Sequence, residues 1–145
     1  MQKSLNGLFD AQRALRSRFD DFRRALDRRD APAYRFGLGD FYEHLASWSA
    51  AQEAALLPAV VRVGVPGRDP RRELHLEWVQ LRELTRFLIT LVADPAKLSD
   101  ALGITDNLDR RLAAHENELL SVYYRVAEPE LTEGEWKILS AAAPG

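Results

Sequence analysis

One pattern limits this chain more than any other: apolar residues recur at alternating spacings of three and four along four separate segments. In the first, Leu5, Leu8, Leu15, Phe19, Phe22 and Leu26 share a face with Gln12. An α-helix turns once every 3.6 residues, so this set forms one stripe on a helix about seven turns long. A half-buried strand would alternate with period two instead, and no long segment does so. A helix with one apolar stripe has to bury it against another element, so the pattern demands neighbouring helices.

Three more stripes follow. Tyr34, Leu38, Phe41, Leu45, Trp48, Gln52, Ala55 and Ala59 make the second; Gly37 and Gly39 weaken its start and Pro58 lies near its end. The run AVVRVGV alternates briefly and is taken as the frayed end of that helix. Leu74, Trp78, Leu81, Thr85, Leu88 and Val92 make the third, and Leu108, Leu112, His115, Leu119, Val122 and Val126 the fourth. Breaks fall at Asp30–Pro32, Gly64–Pro70 and Asp94–Asp106. Asp69 suits an N-cap with Pro70 at the first helical position, and Thr105 suits the cap of the fourth helix. Thr132 and Glu135 have capping-box spacing ahead of a short tail helix carrying Trp136. The expectation is an all-α chain of one domain, 1–145: an antiparallel up-down-up-down four-helix bundle with a short C-terminal helix. The expected helices cover about 4–29, 32–62, 70–93, 106–127 and 132–141.

Composition narrows the function. There is no cysteine, which excludes disulfides, iron–sulfur ligation, thiolate zinc and a thiol nucleophile. Net charge is −2 and the basic residues of RSRFDDFRRALDRRD are interleaved with acids, as on a solvated helix face rather than a nucleic-acid patch. No run of about 18 apolar residues exists to span a membrane. MQKSLNGLFD has no apolar signal core, so the expected compartment is the cytoplasm. Ser47, Ser49 and Ser121 have no evident His–carboxylate relay, and Gly64 and Gly67 lie in a plain turn rather than a phosphate cradle.

The interruptions of the stripes are the candidate site. Gln12, Gln52, Trp78 and His115 each lie midway along an inward face, and Gln52 follows Trp48 by one turn. An unpaired buried amide or imidazole costs about 1–3 kcal/mol, so these groups should bond one another, a water or a ligand.

In that setting the chain resembles the hemerythrin-like, HHE cation-binding family of four-helix bundles. FDAQRALRSRFDDFRRAL resembles its first helix, FYEHLASWSAAQEAALLPAV its second, HLEWVQLRELTRFL its third, and RRLAAHENELLSVYYRVAEPELTEGEW its fourth with the tail. The resemblance implies a non-haem iron site, usually of two ions, held by one His on each of the first and third helices and a His-x-x-x-Glu pair on each of the others. Carried over by position, those ligands fall on Gln12, on Trp48 and Gln52, on Trp78, and on Arg111 and His115. Only His115 is a good transition-metal ligand, and it stands where a carboxylate is expected. A one-residue shift of the alignment would bring in Glu53 and Glu116 without restoring the histidines.

The expected function is therefore a non-enzymatic module for interaction or sensing, with no cofactor and with Trp48 and Trp78 filling the vacated volume. Two alternatives come from other classes. One is a surviving non-haem iron or oxygen site using His115, His44 and nearby carboxylates. The other is a small-ligand pocket between Gln12, Trp48, Gln52 and Trp78. His44 is expected to bond at the bundle edge and His75 to lie near solvent. No glutamate stands three residues before a histidine, as a ferritin-like site would need. The sequence names no partner: a protein, a small ligand and a second copy of the chain, as a homodimer, all stay open.

Overall fold

A computed structural model describes residues 1–145. It contains five helices and no strand: α1 (Leu5–Asp27), α2 (31–63), α3 (Pro70–Leu91), α4 (101–127) and α5 (Glu133–Ala142). No helix is long and apolar enough to cross a membrane.

The starts of the helices are written in short polar side chains. Ser4 accepts from the Gly7 amide, Asp30 from Ala33 and Asp69 from Arg72, with Pro32 and Pro70 in the first turns of α2 and α3. Thr132 and Glu135 form the reciprocal capping box of α5. Each cap satisfies a backbone N–H that a helix start leaves open. The expected cap at Thr105 is wrong. Asp94 instead opens a short 3-10 turn, Pro95–Asp100, from which α4 starts at Ala101. Thr105 lies inside α4, fully buried, its hydroxyl donating to the Ala101 carbonyl and 2.8 Å from the Tyr34 hydroxyl. At the other break, Gly64 ends α2 with φ 80°, a left-handed conformation that favours glycine.

Two of the helices are not regular throughout. Residues 52–56 of α2 and 119–123 of α4 form π turns, in which Leu57 N–H bonds the Gln52 carbonyl and Tyr124 N–H the Leu119 carbonyl. In α2 the wide turn precedes Pro58. A proline in a helix interior has no N–H and clashes with the carbonyl four residues back, and the wider turn accommodates both defects. AVVRVGV is accordingly helical as far as Val63, with Ala59 and Val60 fully buried. In α4 the extra residue advances the buried stripe by one position. Tyr123 and Ala127 face inward where the regular spacing put Val122 and Val126, and Tyr124 joins them.

A single cluster of 33 buried apolar residues draws on all five helices, so there is one core. Contacts between α1 and α2 run in opposite order along the two helices: Phe22 meets Tyr34 and Gly37, Arg18 bonds Asp40, and Gln12 bonds Trp48. At the Gly37 crossing an added Cβ would lie 2.7 Å from the Phe22 Cβ, so this glycine permits the close approach. Phe19, Phe22, Tyr34 and Phe41 stack edge-on or tilted at 4.7–5.7 Å next to that crossing. The short helix α5 buries Trp136 and Leu139 and packs on α2, partly over its π turn.

Candidate functional site

Gln12, Trp48, Gln52, Trp78 and His115 are all buried, none more than 3% exposed. Arg111 is not. The inward stripe of α4 runs through Leu108, Leu112 and His115; position 111 lies at its edge, and the Arg111 side chain is exposed and donates to Gln80 Oε1 at 3.1 Å.

The five buried residues fall into two groups. In the first, Gln12 is the hub. Its Oε1 accepts from Trp48 Nε1 at 3.1 Å and lies 3.0 Å from the Tyr124 hydroxyl, while its Nε2 donates to Glu116 Oε2 at 3.3 Å. The orientation of the amide follows from its neighbours, because an indole only donates and a carboxylate only accepts. Tyr124 Oη also lies 2.8 Å from Gln52 Oε1. One phenol proton serves one carbonyl at a time. With Gln12 taking it, a half-turn of the Gln52 amide gives an N–H to the phenol oxygen and pairs every member. Glu116 is held in turn by Arg16, whose Nε donates at 2.9 Å, and Arg16 Nη1 reaches Asp109 at 2.7 Å.

In the second group, His115 Nδ1 lies 2.8 Å from Glu77 Oε2, and the ring stands edge-on to Trp78 with centroids 6.3 Å apart. The Trp78 indole N–H is buried without a hydrogen-bond partner. The amides thus do not bond His115, as their shared layer had suggested; Tyr124 and Glu116 take that place. Where a small-ligand pocket between Gln12, Trp48, Gln52 and Trp78 was expected, the Tyr124 hydroxyl lies within hydrogen-bond distance of both amides.

Burial sets the electrostatics. It pushes the Tyr124 phenol far above the ordinary tyrosine range, so the group stays protonated and offers no phenolate. It also raises Glu116, against the opposing pull of the Arg16 charge and of the Gln12 and Arg16 hydrogen bonds. For Arg16, burial lowers the pKa, but the Asp109 and Glu116 contacts outweigh it and the guanidinium ends above its ordinary value.

A di-iron centre needs imidazole and carboxylate donors converging from all four helices. The Gln12 layer offers two neutral amides, an indole, a protonated phenol and one carboxylate already paired with arginine. No three His, Asp or Glu side chains gather anywhere into a group able to hold a metal ion. These residues do not fit such a centre. Glu53 lies near the surface with His75 at 2.8 Å, and His44 Nδ1 bonds the Asp40 carbonyl at 2.8 Å on the rim. Neither histidine reaches the layer by any hydrogen bond.

Tyr124 was not singled out from the sequence, since the π turn that brings it inward leaves no mark on apolar spacing. Glu116 was legible only as the shifted alternative to His115. Compared with protein-family models, with curated proteins and with solved structures, the chain matches none of them.

Proposed function

We propose that the chain is an antiparallel four-helix bundle of the hemerythrin-like kind, closed by its short C-terminal helix, in which the layer that would hold metal serves as structural core. In this reading it is a non-enzymatic cytoplasmic module, and its activity is recognition: of a partner protein, of a small ligand, or of a second copy. The observation that carries the reading is the saturation of Gln12. At the position where the family resemblance asks for the first metal ligand, one amide is committed to an indole, a phenol and a carboxylate at once. A metal ion would have to displace these bonds and would find little negative charge in exchange, while losing its hydration.

The test is the metal content of untagged protein, purified after growth with added iron and dialysed. The expected result is iron, zinc and manganese each far below one equivalent per chain. Stoichiometric metal that is lost on His115→Ala would overturn the reading. So would an oxygen-dependent charge-transfer band in the visible or near ultraviolet.

A further inference from the structure

Between α3 and α4, outside the Gln12 layer, lies a cavity of about 150 Å³ lined by Glu77, Gln80, Leu81, Arg111, Ala114 and His115. Three of its features point to a ligand. His115 is almost wholly buried, yet only its Nδ1 is used, by Glu77. Its Nε2 has no partner in the chain and is not among the sealed-off polar atoms. Arg111 makes one hydrogen bond, to Gln80, and no ion pair, so most of its guanidinium fork is free for a carboxylate. Leu81 and Ala114 supply the apolar part of the lining.

The geometry points to a binding site for a small α-hydroxycarboxylate, with its carboxylate on Arg111, its hydroxyl on His115 Nε2 and a short alkyl group against Leu81 and Ala114. The assignment of polar groups follows from Glu77. A carboxylate accepts, so it fixes the proton on Nδ1, and in the neutral ring Nε2 then offers a lone pair to a donor. A ligand hydroxyl meets that lone pair. A ligand carboxylate there would face Glu77 across the imidazole, whereas at Arg111 it meets the only unpaired cation of the cavity. Arg111 and His115 are four residues apart on one helix, which puts their Cβ atoms about 5–6 Å apart on neighbouring turns, close enough for one small molecule to bridge. Size agrees: a cavity of about 150 Å³ accepts a molecule of about six heavy atoms, the number in lactate. A larger open hollow of about 300 Å³ shares Gln80 and Arg111 and leads toward Phe87, which gives a route in.

The test uses the full chain, isotope-labelled, titrated with lactate, propionate and lactamide and followed by amide chemical shifts. Lactate is expected to bind at least about tenfold more tightly than propionate, which lacks the hydroxyl, and than lactamide, which lacks the charge. Arg111→Gln, at an exposed position, should bring lactate down to the lactamide level. Ala114→Leu should fill the cavity and abolish saturable shifts while the spectrum stays that of a folded chain. His115→Phe should erase the preference for lactate over propionate. Propionate binding within about threefold of lactate, or no saturable response to lactate at about 10 mM, would overturn the assignment.

Discussion

Gln12 dictates the roles of its neighbours because its one amide accepts from Trp48 and Tyr124 and donates to Glu116. Replacing it by leucine keeps the volume but leaves the Trp48 indole N–H without an acceptor inside the core, while the Tyr124 phenol still has Gln52 Oε1 at 2.8 Å. Gln12→Leu should destabilise the chain by about 1–3 kcal/mol in urea unfolding. Trp48→Phe removes the donor that Gln12 serves, so the double variant should lose clearly less than the sum of the two single losses. Strict additivity would mean that the two side chains do not interact. Trp78 makes a different residue-scale prediction, since its indole N–H has no partner to lose. Its contribution is volume, and Trp78→Ala should cost about 3–5 kcal/mol. A loss below about 1 kcal/mol would place it at the rim of an open space.

At the scale of the helices, Gly37 and Gly39 stand two residues apart with opposite prospects. A Cβ at Gly37 meets Phe22 at 2.7 Å, whereas a Cβ at Gly39 has nothing within 4 Å. Alanine gains up to about 1 kcal/mol in helix propensity at either site, but overpacking costs about 1–3 kcal/mol at the first. Gly37→Ala should therefore lower the thermal midpoint and Gly39→Ala should raise it. Equal effects would contradict the close crossing of α1 and α2. Helix α5 supplies a pH-dependent case. Hydrogen bonding to Arg62, together with the cap at Thr132, lowers Glu135 from 4.5 to about 2. A depressed carboxylate stabilises the fold above its unfolded value and loses that contribution as the pH falls through the folded one. Stability should thus drop between about pH 4.5 and 2, and Glu135→Gln should flatten that part of the profile.

These helices also show what sequence spacing conveys. Periodicity located four long helices and most of their inward residues; Asp30 and Asp69 marked two of their starts, and Thr132 marked that of the short tail helix. It failed where hydrogen bonding departs from the regular i to i−4 ladder. The π turn at 119–123 shifts the stripe by one residue, so Val122 and Val126 were expected inside and Tyr124 was overlooked. Thr105 looked like a cap because threonine suits that role, but it is buried in α4 beside Tyr34. Arg111 was placed inward by resemblance, but it stands at the edge of its helix's stripe with its side chain exposed. Apolar patterning says which face is buried; it does not say which buried polar groups will find one another.

Across the whole molecule, one core of 33 residues joins all five helices, and the polar chain from Gln52 through Tyr124, Gln12 and Glu116 to Arg16 crosses it. Such a network is favourable only when every member is paired, and in the proposed reading that pairing is what would keep a metal ion out. The most direct measurement is therefore made on that network. The Trp48 indole N–H and the Gln12 side-chain amide are followed by nuclear magnetic resonance while iron(II) is added without oxygen, with zinc as a diamagnetic control. Slow hydrogen exchange at both groups, with no saturable change at either metal, is the result expected. A stoichiometric loss or shift of these two signals, together with faster exchange of the indole proton, would show that metal enters the layer and would contradict a closed, structural core.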